Sequence, residues 1–351
     1  MLTARFPAMF MALLLALAAC GSDADGGEAA ASSQSWVGGL AGEGPRAATY
    51  AGPVLDLPPL DPAEEAGEPQ HETERDWAIA RGTLEWAVEQ GLGALPTGEA
   101  AAMIGSTFVG TPYEPGSLEL PGPERLVVNL RTFDCVTLVE HVLVLARLAR
   151  SVGSSLRVSA ETAGAPGSLL ESEQTFRQAY RDELSALRYR GGEIDGYISR
   201  LHYFTEWLDH GIETGILDEV MGELGGVPDA RPIHFMSSNP HAYRQLDEDS
   251  SLVARVRDIE ARLSAGERLF VPQERIAEIE DQLQNGDVIA AVSTVDGLDI
   301  AHTGFAIRHD GRVHLLHAPL VGDSVEVSPQ PLADRIQRIS GQKGIRVARP
   351  R

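Results

Sequence analysis

One segment constrains the fold more than any other, because Cys135–Leu148 is apolar on almost every side of a helix. A helix on a protein surface keeps a polar face, so a helix without one belongs in the centre of a domain. The residues just ahead of it, Phe133 and Asp134, have the character of extended chain. The sequence therefore predicts a central helix whose first residue is Cys135.

The spacing of apolar residues changes from helical to strand-like along the chain. Before residue 287 and apart from the helix that begins at Cys135, the sequence predicts helices at Thr73–Leu92, Thr97–Val109, Glu173–Leu187, Ile194–His210, Leu252–Leu263 and Glu274–Gln284. The same region has two predicted short strands, at Leu126–Leu130 and Ile233–Met236, and a turn or helix at Asn239–Leu246. Strands and one helix follow at Val288–Ser293, His302–Arg308, Val313–His317, Ser324–Val327, Leu332–Ile339 (helix) and Ile345–Val347. Helices first and antiparallel strands later indicate an α+β fold.

The N-terminal residues have the pattern of an export signal. Arg5 precedes the apolar run Ala8–Ala19, which is shorter than the roughly 20 residues that a membrane-spanning helix needs. The end of the run, Leu17-Ala18-Ala19-Cys20, resembles the lipobox of bacterial lipoproteins, in which the signal is cut before the cysteine and the thiol is lipidated. We therefore predict a lipoprotein signal peptide at 1–19, a lipid-anchored flexible linker at 20–70 and a folded domain at 71–351.

The residues that follow Cys20 indicate a location. Gly21 and Ser22 come next, without an Asp beside the cysteine. By resemblance to such lipoproteins, this favours the outer membrane, with the domain facing the periplasm, over retention in the inner membrane. An ordinary secretory signal with an incidental cysteine is the alternative.

The charge balance excludes one class of partner. The chain carries 29 Lys and Arg against 51 Asp and Glu, which gives a formal net charge of −22. A nucleic-acid-binding surface needs a surplus of cations that displaces counterions from phosphates. Electrostatic adhesion to anionic lipid needs such a surplus as well. We therefore expect no nucleic-acid partner, and attachment to a membrane only through the lipid at Cys20.

Cys135 is the one thiol left if Cys20 carries lipid, and two cysteines cannot form a disulfide scaffold. At the start of a helix a thiol meets the positive end of the helix dipole, which lowers its pKa and favours the thiolate. A small, buried and inert cysteine is the alternative. The exported context and two downstream histidines favour a nucleophile.

These histidines supply the groups that a thiol nucleophile requires. His302 begins one predicted strand and His317 ends the next, across a turn at Asp310-Gly311. Antiparallel pairing can bring the two imidazoles to one face of the sheet, so that one acts as base and the other orients it. A zinc site formed by Cys135, His302, His314 and His317 is disfavoured because the sequence has no short ligand pair. We therefore expect neither a metal nor another cofactor.

Several motifs together resemble a known family. The sequences GTPY at 110–113, FDCVTLVE at 133–140, AHTGFAI at 301–307 and LLHA at 315–318 are similar to the NlpC/p60 superfamily of papain-like cell-wall cysteine peptidases. The blocks DCVTLVE, HYFTEWL, HFMSSNP and GDVIAAVSTVDGLDIAHTGFAI resemble its N-acetylmuramoyl-L-alanine amidase-like branch. The resemblance extends over roughly 76–349. It implies a papain-like fold in which a central antiparallel sheet packs on the helix that bears the cysteine, with helical insertions.

The resemblance also implies a role for each site residue. Cys135 is the implied nucleophile, His302 the base and His317 the third, polar residue of a triad. Tyr113 is implied to lie beside the thiol and to help position the acyl oxygen. Asp134 either holds substrate or caps the start of the helix, and the residues leave both roles open.

The implied substrate is peptidoglycan or a muropeptide. In the amidase-like branch the cleaved amide joins the lactyl group of the sugar to L-Ala, which makes this the expected activity. A D,L-endopeptidase of the stem peptide, an acyl transferase and a non-catalytic wall-binding lipoprotein are the alternatives. Val136-Thr137 follows the cysteine where the common superfamily form has a small polar residue, so endopeptidase specificity does not transfer directly. The helical insert Glu173–Leu263 is either a lid or a wall of the cleft.

Overall fold

The computed structural model describes residues 52–65, 70–161 and 169–351. The predicted signal peptide at 1–19, the predicted lipidation site Cys20 and residues 21–51 of the predicted linker lie outside these described residues. Within them the chain has the α+β architecture that the sequence predicts, with most helices preceding an antiparallel sheet.

Most of the longer helices lie close to their predicted positions, but the helix that begins at Cys135 continues to Glu161, beyond its predicted end at Leu148, and the one predicted from Ile194 begins later. The longer helices are α1 (Glu74–Glu89), α2 (Thr97–Ser106), α3 (Cys135–Glu161), α4 (Glu173–Arg188), α5 (Phe204–Glu213), α6 (Ser251–Ala265) and α7 (Leu332–Arg338). Shorter α- or 3₁₀-helical turns lie at Pro62–Glu65, Leu92–Ala94, Arg190–Gly192, Tyr197–Ser199, Phe235–Ser238, Pro240–Ala242, Arg244–Glu248, Gln273–Arg275, Ile276–Ile279 and Glu280–Gln282. The predicted helix at 274–284 is thus divided into three such turns. In the described residues, no helix has the length and apolarity needed to cross a membrane.

The sheet brings the two predicted histidine strands side by side. Its strands are β1 (Leu217–Glu219), β2 (Val227–Pro228), β3 (Leu269–Pro272), β4 (Val288–Ser293), β5 (Ile300–His309), β6 (Arg312–His317), β7 (Glu326–Val327) and β8 (Gln342–Pro350). Their order is β2-β3-β8-β4-β5-β6-β7, β1 also pairs with β8, and every pair is antiparallel. Strands β1 to β3 were not predicted because segments of two to four residues show no measurable alternation.

Helix α3 forms the centre of the larger hydrophobic core. It packs against α1, α2, α4 and β5. Its apolar side chains are fully buried over successive turns, among them Leu138, Val139, Val142, Leu143, Val144 and Leu145. The opposite face of the sheet packs against α7, through Leu332 and Ile336. The predicted central position of the cysteine-bearing helix is therefore confirmed.

The predicted strand at 126–130 is wrong. This segment forms no strand, because its backbone bonds to a loop and a side chain instead of a neighbouring strand. The Val128 N–H donates to the His71 carbonyl at 2.7 Å, and the Leu130 N–H donates to Asp76 Oδ1 at 2.8 Å. The fully buried Asp76 carboxylate thus takes the place of a strand partner.

The region 194–213 contains a shorter helix than the predicted one at 194–210. Gly196 has φ 69° and ψ −176°, a conformation outside any helix that a residue with a side chain rarely adopts. Helix α5 consequently begins only at Phe204, after a 3₁₀ turn at Tyr197–Ser199.

The predicted strand at 233–236 is also wrong, because Phe235–Ser238 forms a helical turn. The N–H of Phe235 donates to the Gly297 carbonyl at 3.1 Å, and the N–H of Met236 donates to the Tyr203 hydroxyl at 2.9 Å. The apolar side chains of this segment are buried in a small core formed within the helical insert 173–263. Continuous burial explains the strand-like apolar run.

The end of the predicted linker contacts the domain. Leu55 and Leu57 pack against the core around α3, whereas Val54 is fully exposed. Arg75 Nη1 of α1 donates to the Pro58 carbonyl at 3.0 Å. The described part of this segment is therefore attached to the first helix of the domain.

Candidate active site

Cys135 is half-buried and is the first residue of α3, as predicted. Asp134 caps this helix: its Oδ1 accepts the N–H groups of Val136 at 3.0 Å and of Thr137 at 2.8 Å. The Thr137 hydroxyl accepts the Asp134 N–H in return, at 3.0 Å. This reciprocal arrangement satisfies N–H groups that have no partner inside the helix. The capping role predicted for Asp134 is therefore present in the structure.

The cap predicts how substitutions of Asp134 affect stability. Asp134→Ala should lower the free energy of unfolding by about 1–2 kcal/mol, whereas Asp134→Asn should lower it much less, because Asn is an equally good N-cap. Urea denaturation followed by circular dichroism measures both variants. An Asn variant as unstable as the Ala variant would contradict the capping role.

Tyr113 is held next to the residues that lead into α3. The Phe133 N–H donates to the Pro112 carbonyl and the Glu114 N–H to the Phe133 carbonyl, both at 3.0 Å, so Tyr113 pairs with Phe133 in a parallel bridge. The Tyr113 N–H donates to the Asp323 carbonyl at 2.9 Å. The segment of Tyr113 therefore lies between the chain before Cys135 and the chain before β7.

Strand β7 continues this connection to a histidine. The Gly110 N–H donates to the Val325 carbonyl and the Val325 N–H to the Thr111 carbonyl, both at 2.8 Å. The next residue, Glu326, pairs with His317 across β7 and β6. A set of backbone hydrogen bonds thus links the start of α3, the GTPY segment and the strand that carries His317.

His302 on β5 and His317 at the end of β6 contact each other directly. His302 Nε2 lies 2.8 Å from His317 Nδ1, and the ring planes cross at 86°. The two residues are 5% and 1% exposed. Gly304 lets β5 and β6 approach each other closely here, since a Cβ at that position would clash with the Leu316 carbonyl oxygen and lie 3.0 Å from the His317 Cβ. The expected meeting of the two imidazoles on one face of the sheet is confirmed.

Burial keeps both imidazoles neutral. The pKa of His302 lies well below its usual value, because burial disfavours the charged form and because His317 and the Arg335 guanidinium oppose it. The pKa of His317 is also lowered well below its usual value, by burial and by Arg335. A neutral imidazole keeps the lone pair that a general base needs.

The depressed pKa of His302 predicts how stability changes with pH. Below about pH 6.5 an unfolded histidine takes up a proton that the buried imidazole does not, so stability is lost as the pH falls. The free energy of unfolding of the wild type should therefore fall more steeply than that of His302→Asn, by up to about 1.4 kcal/mol per pH unit between about pH 6.5 and 5. Urea titrations across this range measure both slopes. Parallel curves would contradict a depressed pKa.

A buried ion pair fixes α3 five residues after Cys135. Glu140 Oε2 accepts Arg188 Nε of α4 at 2.8 Å, and the two side chains are 2% and 1% exposed. Arg188 Nη1 also donates to the Val127 carbonyl at 2.6 Å. Burial raises the pKa of Glu140, and the Arg188 charge opposes that shift. This pair joins α3, α4 and the extended segment that leads to the cysteine.

In the described ranges, no group of three or more His, Cys, Asp or Glu residues is placed to hold a metal ion. His314, a member of the disfavoured zinc set, lies three residues from His317 on β6 and therefore on the opposite face of the sheet. Its Nδ1 lies 2.7 Å from the Ser328 carbonyl oxygen.

Two charged residues beside the imidazoles were not singled out from the sequence. Glu326 Oε1 lies 3.5 Å from His317 Nε2, and the charge of Arg335 lowers the pKa of both histidines. The sequence places Glu326 in the predicted strand 324–327, but it does not give the register in which that strand pairs with its neighbour. Arg335 lies on α7, and the sequence does not specify that α7 packs near the two histidines.

The family model for AmiA-like proteins, described as N-acetylmuramoyl-L-alanine amidase-like, matches residues 103–345. This range includes Tyr113, Asp134, Cys135, His302 and His317. No curated protein matches the chain.

Solved structures resemble this one over most of its length. A crystal structure of an N-acetylmuramoyl-L-alanine amidase from Bacteroides uniformis is 34% identical, with a TM-score of 0.63 over 73% of this chain and 99% of that one. A putative xylanase from Bacteroides fragilis is 30% identical, with a TM-score of 0.58 over 70% of this chain and 98% of that one. A Legionella pneumophila protein at 20% identity, with a TM-score of 0.51 over 77% and 94% of the two chains, shares the fold alone.

Proposed function

This chain belongs to the N-acetylmuramoyl-L-alanine amidase-like family, and on that premise we propose that it is a peptidoglycan amide hydrolase with a Cys-His-His triad. Cys135 is the nucleophile, His302 the base and His317 the residue that orients it. The observation that carries the proposal is the buried contact between the two imidazoles, in which His302 Nε2 lies 2.8 Å from His317 Nδ1. A papain-like fold of the NlpC/p60 type is part of the same proposal.

The proposed reaction has two stages. His302 takes the proton of the Cys135 thiol, the sulfur attacks the amide carbonyl, and the resulting imidazolium protonates the amine as the C–N bond breaks. Water, deprotonated by His302, then attacks the thioester and releases a carboxylate and the thiol. The backbone N–H of Cys135 and the Tyr113 hydroxyl are the proposed donors to the oxyanion in both stages.

The proposed bond joins the lactyl carbonyl of muramic acid to the amino group of L-Ala. The Bacteroides uniformis relative is named as an N-acetylmuramoyl-L-alanine amidase, which supports this choice over a bond within the stem peptide. The match covers 99% of that relative's chain, so nearly all of the relative is included in the comparison.

Mass spectrometry of digested sacculi and purified muropeptides tests the proposal. We expect free peptides that begin with L-Ala and sugars that have lost the peptide. Products in which L-Ala stays on the muramic acid would replace the amidase assignment with an endopeptidase one. Binding to sacculi without any product would replace it with a wall-binding role.

We further propose that lipidation of Cys20 places the domain at the outer membrane, facing the periplasm. The LAAC sequence at 17–20 and the absence of Asp after the cysteine support this. Mass spectrometry of the mature N-terminus and membrane fractionation of Cys20→Ala test it. A wild type that is recovered unlipidated in the soluble fraction would overturn it.

A further inference from the structure

The outer nitrogen of His317, Nε2, lies near the partly exposed carboxylate of Glu326. His317 Nε2 is buried and, within the described residues, has no hydrogen-bond partner. Glu326 Oε1 lies 3.5 Å away, on the residue that pairs with His317 across β6 and β7. The His317 side chain is 1% exposed, and that of Glu326 is 38% exposed. The imidazole therefore has one nitrogen in contact with His302 and the other within 3.5 Å of a carboxylate oxygen.

Two neutral imidazoles that share a hydrogen bond have two possible tautomeric states. In the first, His302 Nε2–H donates to His317 Nδ1, so that His302 Nδ1 keeps a lone pair and His317 Nε2 carries a proton. In the second, His317 Nδ1–H donates to His302 Nε2, so that His302 Nδ1 is protonated and His317 Nε2 presents a lone pair. Only the first state leaves His302 Nδ1 able to accept a proton.

The Glu326 carboxylate favours one of these two tautomeric states over the other. A protonated His317 Nε2 is attracted to Glu326, whereas a lone pair on the same atom is repelled by it. We propose that Glu326 is a positioning residue that selects the tautomer in which His302 Nδ1 is unprotonated. The catalytic meaning of this inference rests on the proposed function, but the tautomer is a property of the free protein.

One other charge acts on the same pair. Arg335, on α7, opposes protonation of both imidazoles. Glu326 acts against that effect, and it would stabilise the imidazolium that forms when His302 takes the thiol proton. Removal of Glu326 should therefore change both the tautomer and the pH at which the base is protonated.

Nitrogen NMR of the full chain labelled with ¹⁵N-histidine, near pH 8, tests the tautomer without any substrate. For the wild type we expect His302 to be unprotonated at Nδ1 and protonated at Nε2, and His317 to be protonated at Nε2. Glu326→Gln, whose amide can donate or accept, should give a mixture of tautomers. A wild-type His302 protonated at Nδ1, or identical tautomers in both proteins, would overturn the inference.

Steady-state kinetics on muropeptides test whether Glu326 affects catalysis. Glu326→Gln should lower kcat about 10- to 100-fold with little change in KM, and the acid limb of its pH profile should move to lower pH. Glu326→Asp should recover part of the rate because it restores the charge. Asp334→Asn is the matched control, since it removes a carboxylate on α7 that lies 3.9 Å from Arg312, and it should leave kcat and the pH profile unchanged.

The two hypotheses fail in different ways. A wild type that shows the expected tautomer and cleaves no amide would refute the proposed function and leave the tautomer assignment supported. An active wild type whose Glu326→Gln variant keeps the same kcat, pH profile and tautomer would refute the role of Glu326 and leave the proposed function supported.

Discussion

Cys135→Ala is expected to lower the rate of amide cleavage in purified sacculi by at least about 10⁴-fold, because the loss of a nucleophile disables the whole catalytic unit. Alanine cannot form the thioester, and the imidazole pair then has no thiol to deprotonate. The half-buried position at the first residue of α3 tolerates alanine, a good helix former. The thermal unfolding midpoint should therefore stay close to that of the wild type. Release of L-Ala-initiated peptides, quantified by mass spectrometry, measures the effect.

Asp134→Asn is the matched control for this variant. It changes the neighbouring residue and keeps the helix cap, so it should retain most of the activity. Co-sedimentation with sacculi separates binding from chemistry, and Cys135→Ala should still bind. Equal cleavage by Cys135→Ala and the wild type would refute the thiol mechanism.

The parts of the site that the sequence could predict have strong local patterns. The apolar run after Cys135 has no polar face, so its central position followed from the hydrophobic effect alone. The turn at Asp310-Gly311 fixed the hairpin of β5 and β6, and with it the approach of His302 to His317. Both results depend on residues that are close in sequence.

The parts that could not be predicted depend on distant partners. The segment 126–130 has the apolar character of a strand, but its backbone bonds to His71 and to the Asp76 carboxylate. Glu326 lies in a strand of two residues whose register is fixed by the pairing of its neighbours with the GTPY segment. No local pattern specifies either contact. A side chain or loop can satisfy a buried backbone group as well as a strand can, and the register of a two-residue strand depends on residues that are distant in sequence.

Arg188→Met is expected to lower the free energy of unfolding by about 3–5 kcal/mol, because it leaves the Glu140 carboxylate buried without a counter-charge. Both side chains are at most 2% exposed. The variant also loses the hydrogen bond from Arg188 Nη1 to the Val127 carbonyl. That segment continues to Phe133 and Cys135, so activity should decrease together with stability. Urea denaturation at pH 7 measures the loss, which should be smaller at lower pH, where Glu140 becomes protonated.

A second ion pair between the same two helices provides the control. Arg147 of α3 and Glu183 of α4 are 2.7 Å apart, but their side chains are 25% and 29% exposed. Arg147→Met should therefore cost no more than about 1 kcal/mol, since solvent screens the remaining charge. The double variant Arg188→Met/Glu140→Leu should recover much of the lost stability, because it removes the uncompensated carboxylate as well. Equal losses for Arg188→Met and Arg147→Met would show that burial of the Glu140 charge does not govern the stability of this helix pair.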